Sequence, residues 1–251
     1  GRAIQNLINI EQDDRVKAFI CTQDLKDEEY VNNHFVIMAT KMGQVKKTSL
    51  EQYSRPRTNG INAITIKEED ELLEAKLTNG NSQIMLAVKS GKAIRFEEGK
   101  TRPMGRNASG VRGIRLKDNK DEVVGMISVN DMDANILVVS ENGFGKRSSL
   151  EDYRLTNRGG KGVKTISITE KTGKLVTLKS VSDSDDLMII NKSGIAIRMQ
   201  VEDLRVMGRA TQGVKVISLK DGDSIAAVAK VMKDDDDIED INDIEFTGDA
   251  V

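Results

Sequence analysis

The chain has 251 residues, with 38 basic and 40 acidic side chains, one Cys, one His, five Phe, three Tyr and no Trp. At 38% apolar and 31% charged residues it has the composition of a soluble globular protein, and its length holds one large β domain or two ordinary ones. No apolar run approaches the roughly 18 residues of a membrane helix, and no signal peptide opens the chain. Cys21 alone makes no internal disulfide, which fits a reducing compartment, and Cys21 with His34 cannot supply a Cys/His zinc site. Histidine catalysis would rest on His34 alone.

In chain order, Gly1–Leu7 (GRAIQNL) matches the second half of a unit that then recurs complete four times: Phe35–Leu77, Gln83–Val129, Ala134–Val181 and Asp186–Val231. Each unit opens with a compact apolar run (FVIMAT, IMLAV, ILVVS, LMIIN). A glycine turn follows at Gly43, Gly91, Gly143 or Gly194, and then basic residues: Lys46 and Lys47, Arg95, Lys146 and Arg147, Arg198. A second glycine (Gly60, Gly110, Gly162, Gly213) opens an alternating run (INAITI, VRGIRL, VKTISI, VKVISL). The units close at Glu71–Leu77, Glu122–Val129, Leu175–Val181 and Ser224–Val231. The first glycines are 48, 52 and 51 residues apart and the second set 50, 52 and 51.

Apolar runs of four to six residues bounded by glycine turns predict buried strands, and alternating runs predict strands with one wet face. A unit of about 50 residues with three or four strands predicts an all-β propeller of four-stranded blades rather than a β-sandwich, because such repeats bury their faces only against neighbours. The expected organisation is four complete repeats preceded by the end of another, over residues 1–232, followed by an acidic tail at 233–251.

Between the two glycines each repeat carries arginines beside a small, polar, glycine-rich loop: Arg55 and Arg57, Arg102 and Arg106, Arg154 and Arg158, Arg205 and Arg209. Backbone N–H groups of such loops approach an anion closely while guanidinium groups grip phosphate oxygens. Repetition at one blade position would spread positive charge along a rim built from Lys46, Lys47, Arg55, Arg57, Arg95, Arg102, Arg106, Lys146, Arg147, Arg154, Arg158, Lys161, Arg198, Arg205 and Arg209. The competing reading is that these arginines staple the blades through acids such as Glu51, Glu151 and Glu202. Scarce aromatics argue against stacking on single strands, and Tyr53 and Tyr153 share one repeat position that suits core or turn. Double-stranded DNA, held by its backbone and bent, is the expected partner.

Residues 1–232 hold 37 basic against 31 acidic side chains, a net of +6. Residues 233–251 hold nine acids and one Lys, with Ile238, Ile241, Ile244 and Phe246 interspersed. The tail reads either as a solvated acidic segment or as a docked one competing with DNA phosphate.

The units KMGQVKKTSLEQYSRPRTNG, NASGVRGIRL, ENGFGKRSSLEDY and VMGRATQGVKVISL resemble the C-terminal domains of the DNA gyrase A chains, through all of 1–232. The resemblance implies a six-repeat β-pinwheel, a propeller variant with strands exchanged between blades, of which this chain would be a fragment. It implies DNA wrapped on a basic rim, and a bacterial, cytoplasmic, nucleoid-associated parent that introduces negative supercoils. That parent is an ATP-dependent type II topoisomerase, an A2B2 complex using ATP and Mg through its gyrase B chains. The implied partners are DNA, the breakage-reunion domain of the same polypeptide and gyrase B; the fragment itself is implied to be monomeric and non-catalytic, with no metal or cofactor of its own. The family's signature box, a Gln-Arg-Arg-Gly-Gly-Lys-Gly type heptapeptide, lies in the first repeat. The similar string here, Asn157, Arg158, Gly159, Gly160, Lys161 and Gly162, lies in a later one, either as a working box or as an echo of the shared repeat. Rival readings are the C-terminal domain of the corresponding topoisomerase IV polypeptide, which wraps DNA less, and a protein-interaction propeller.

Overall fold

The computed structural model describes residues 14–57 and 59–232, together with residues 6 and 8. The opening half-unit, apart from residue 6, and the acidic tail therefore lie outside the described residues.

Each repeat begins as an antiparallel hairpin across its first glycine turn. In the first, β1 (Phe35–Thr40) pairs with β2 (Gln44–Ser49), and β1 also takes β3 (Leu72–Thr78) on its other side. The second repeat pairs β4 (Gln83–Val88) with β5 (Lys92–Glu97), then contributes a two-residue strand, β6 (Val111–Arg112), and β7 (Val123–Val129). The third supplies β8 (Asn135–Ser140), β9 (Phe144–Ser149), β10 (Val163–Lys164) and β11 (Leu175–Val181). The fourth supplies β12 (Asp185–Asn191), β13 (Ala196–Gln200), β14 (Val214–Lys215) and β15 (Ile225–Met232).

The sheets do not follow the repeat boundaries. Their strand orders are β3-β1-β2-β6, β10-β5-β4-β7, β11-β8-β9-β14 and β13-β12-β15. The outermost strand of each of the first three blades thus comes from the following repeat: β6 pairs with β2, β10 with β5 and β14 with β9. The alternating runs were expected to be strands of about six residues within their own units. The structure pairs only two residues of each and lends them to the neighbour. Residues 61–66 of the first repeat form no ladder among the described residues. Ala63 and Ile64 instead pack beside Val36, Met38 and Leu50 on the outer face of the first blade. Among the described residues the fourth blade has three strands, with β13 at its edge.

The third strands β3, β7, β11 and β15 lie against one another in succession, which puts the lent strands at the periphery. Hydrophobic clusters fill the gaps between blades. Ile37 and Val45 meet Leu86, Ile94 and Phe96; Met85 and Ile127 meet Ile136, Val138 and Tyr153; Leu137 and Val139 meet Leu187, Ile189 and Val228. Apolar residues thus face both sides of each internal sheet, which explains why the opening runs read as continuous rather than alternating. A six-residue helix, α1 (Glu28–Asn33), was not anticipated from the sequence. Asp27 caps it by accepting from the Tyr30 N–H at 3.1 Å, and Val31 joins the cluster on the outer face of the first blade. Among the described residues no helix is long and apolar enough to cross a membrane.

Candidate nucleic-acid interface

The basic residues just after each first glycine turn are used inside the fold. Lys47 is 4% exposed, and its ammonium pairs at 2.9 Å with Glu98, on the short 3-10 turn that follows β5 of the next blade. Arg95, at the same repeat position, donates to the Leu150 and Tyr153 carbonyls on the corresponding turn of the third blade, at 2.9 and 3.0 Å. Arg147 donates to the Leu204 carbonyl of the fourth repeat and pairs with Asp183. Arg198, in the last blade, pairs with Asp186 of its own sheet at 2.7 Å. One position therefore stitches each of the first three blades to its successor.

The preceding residue plays a related part in alternate blades. Lys46 and Lys146 are fully buried. Lys46 donates to the Ala63 carbonyl at 2.5 Å and to the Arg106 carbonyl, and Lys146 to the Gly208 carbonyl at 2.6 Å. Burial, with the Arg106 charge nearby, lowers the Lys46 ammonium to about 8; burial, with Arg209 adding to it and Asp152 opposing, lowers Lys146 to about 8. In the second blade Ile94 occupies this position, close to Gly160. Six of the fifteen residues expected on the rim (Lys46, Lys47, Arg95, Lys146, Arg147 and Arg198) are thus committed to carbonyls or carboxylates of the protein itself.

The arginine pairs divide by role. Arg102, Arg154 and Arg205, eight residues before the second glycine, are exposed and make no hydrogen bond or ion pair among the described residues. Arg55 and Arg57 of the first repeat are exposed as well. The second arginines turn back onto the neighbouring blade: Arg158 donates to the Lys100 and Arg112 carbonyls at 3.0 Å each, and Arg209 to the Lys164 carbonyl at 2.8 Å. Stapling does occur, but through backbone carbonyls rather than through Glu51 or Glu151, whose side chains stay exposed. Arg106 keeps its backbone N–H on Gln52 Oε1 at 3.2 Å. Tyr153 is buried, with its hydroxyl on Thr165 Oγ1 at 2.5 Å, and Tyr53 bonds the Ala63 carbonyl; both are structural.

The loops themselves are held rigidly. The N–H groups of Met104, Thr156 and Met207 donate to the carbonyls of Lys47, Arg95 and Arg147 at 2.8, 2.9 and 2.8 Å. Those of Thr65, Arg115 and Ser167 donate to the carbonyls of Ala108, Gly160 and Thr211. Within the box-like string, Gly159 and Gly162 adopt φ of +79° and +70°, and Gly162 passes so close to Ala93 that a Cβ would lie 2.4 Å from its carbonyl oxygen. Arg158 serves as a strut, whereas Lys161 is exposed and lines, with Arg154, a cleft of about 150 Å³ floored by Gly160, Gly162 and Val163.

Three basic residues escaped the sequence reading. Arg112, Lys164 and Lys215 are exposed on the lent strands, each two residues after its second glycine. That repeat position is the signal in the sequence, hidden because an alternating run reads as a strand of its own unit's blade. Lys164 stands directly opposite Lys92 in the β10–β5 pair, a like-charge juxtaposition that costs stability in the absence of an anion.

Radial sheets, the first three completed by a strand of the next repeat and edged with unpartnered arginines, define a propeller of the β-pinwheel type with a basic periphery. The chain belongs to the DNA gyrase C-terminal domain, beta-propeller family, whose model matches residues 34–79, 83–130, 134–182 and 185–232. It is 43% identical over 237 residues to the DNA gyrase A chain of Staphylococcus epidermidis, covering 94% of this chain and 26% of the relative. The chain therefore spans about a quarter of the curated relatives it matches. Among solved structures, the C-terminal domain of DNA topoisomerase IV superposes with a TM-score of 0.84 at 25% identity, over 92% of this chain and 71% of the other. The DNA gyrase A C-terminal domain gives 0.80 at 24%, over 92% and 75%.

Proposed function

We propose that this chain binds double-stranded DNA along its periphery and bends it, as the DNA-wrapping part of a bacterial, cytoplasmic DNA gyrase A polypeptide. The observation that carries this reading is the recurrence of exposed, unpartnered Arg102, Arg154 and Arg205 at one repeat position, flanked by exposed Arg112, Lys164 and Lys215. Guanidinium groups at regular intervals along a rigid curved edge suit the phosphates of a bent duplex, and such contacts position DNA without reading bases. Supercoiling by ATP-driven strand passage, with Mg and ATP handled by gyrase B in an A2B2 complex, belongs to the parent enzyme, as does the breakage-reunion chemistry. This part is non-catalytic in that scheme. The likeness to the topoisomerase IV C-terminal domain supports a second reading in which the same rim binds DNA with little wrapping.

The test is a linking-number shift. Relaxed plasmid is incubated with the protein, nicked, resealed, stripped and resolved by topoisomer. A positive shift supports gyrase-type wrapping. Binding without a shift favours the topoisomerase IV reading, and no salt-sensitive binding overturns both.

A further inference from the structure

In the last three repeats the arginine eight residues before the second glycine is followed by an apolar residue: Pro103 after Arg102, Leu155 after Arg154 and Val206 after Arg205. All three are exposed, Leu155 to 45% and Val206 to 52%. A single exposed apolar side chain needs no explanation. Three at one repeat position, each joined to an exposed arginine, do.

These residues are not on floppy tips. Pro103, Leu155 and Val206 each form an isolated parallel bridge with the second strand of the preceding blade, to Lys47, Arg95 and Arg147. The N–H of the next residue is then bonded to the same strand at 2.8 to 2.9 Å. The residue bridged is in each case the stitch between blades, so the apolar side chain rides on an anchored part of the periphery.

We propose that Pro103, Leu155 and Val206 are wedges that press between base steps in the minor groove of the bent duplex, one from each of the last three repeats. This rests on the DNA-binding reading above. Proteins that bend DNA commonly combine arginines at the minor groove with an apolar side chain that partly unstacks a step, a cost offset by the bend it permits. The variation among Pro, Leu and Val suits a wedge, which needs an apolar surface rather than one shape. It does not suit a protein partner, whose anchors would fill pockets and cluster in one patch rather than recur singly along a charged edge. Insertion is cheapest at flexible pyrimidine–purine steps, so bound DNA should favour TA and CA steps phased with the blades.

The experiment uses the intact chain with Leu155→Ser and Val206→Ser combined, which leaves charge untouched, beside a conservative Leu155→Ile, Val206→Leu control. Each protein is titrated against a duplex carrying 2-aminopurine at TA steps and a dye pair at its ends. The unsubstituted chain and the conservative variant should raise 2-aminopurine emission and bring the ends together. The serine variant should lose most of both signals and bind about tenfold more weakly, equivalent to ~1.4 kcal/mol, with an unchanged salt slope and thermal midpoint. Salt-dependent binding by the unsubstituted chain without an emission rise overturns the wedges and leaves the DNA reading intact, as does a serine variant that keeps the rise and the bend. Failure of the unsubstituted chain to bind duplex at all overturns both.

Discussion

The Lys47 ammonium and the Glu98 carboxylate, from consecutive blades, meet at 2.9 Å with both side chains almost wholly withdrawn from water. Glu98 also accepts from the Thr78 hydroxyl at 2.6 Å and the Ser82 N–H at 3.2 Å, and the ammonium lies 4.0 Å from the Phe35 ring centroid. With its remaining lone pairs satisfied, the pair tolerates its desolvation, but neither partner tolerates loss of the other. Glu98→Ala should therefore cost about 3–5 kcal/mol in denaturant unfolding, because it strands a buried cation. Lys47→Met with Glu98→Leu should recover most of that loss.

Neutralising the exposed arginines should have the opposite profile. Arg102→Ala, Arg154→Ala and Arg205→Ala together should leave stability within about 0.5 kcal/mol, since these groups have no partner among the described residues. The slope of log affinity against log salt should fall by about 0.9 for each phosphate contact removed. Fluorescence anisotropy at several salt concentrations measures it. An unaltered slope would remove these arginines from the interface.

Lys164 offers a trade between stability and binding. Placing a glutamate there turns its like-charge pairing with Lys92 into an attractive one. Lys164→Glu should raise the unfolding midpoint by about 0.2–1 kcal/mol equivalent while weakening DNA binding.

The buried lysines make stability depend on pH in an unusual direction. Lys46 and Lys146 fall from 10.5 in the unfolded chain to about 8 in the fold, so between these values the unfolded chain holds more protons. Stability should therefore rise as pH goes from about 8 to 10.5, by on the order of 1–3 kcal/mol per lysine, with the burial cost fully present below 8. Comparison of unfolding midpoints at pH 8 and 10, for the native chain and for Lys46→Met with Lys146→Met, isolates this contribution. The double variant should lose most of the rise.

Two glycines with similar backbone angles should respond differently to alanine. At Gly60 (φ +75°) a Cβ meets nothing within 4 Å, and the cost should be the ~1–2 kcal/mol of a left-handed residue. At Gly162 (φ +70°) the same Cβ would strike Ala93, so Gly162→Ala should cost more and loosen the lent strand β10, visible as faster amide exchange at Val163.

The repeat, its β character and the family were legible in the sequence because local chemistry carries them. Glycines at regular spacing mark turns of positive φ, and continuous apolar runs mark strands covered on both faces. The spacing of Arg154 and Arg158 was equally plain. What it could not show is that one guanidinium reaches the Lys100 and Arg112 carbonyls while the other points to solvent. Likewise Lys46 and Lys47 read as rim charges, yet they are buried, because the next repeat brings the Arg106 carbonyl and the Glu98 carboxylate onto them. A basic residue's role depends on which acceptor reaches it, and that acceptor lies some 50 to 60 residues away in the sequence. The sequence by itself determined the unit and its turns, which depend on neighbours along the chain. Only the tertiary structure decided which strand completes which blade and which cations remain for a partner, because both depend on groups that meet only when one repeat packs against the next.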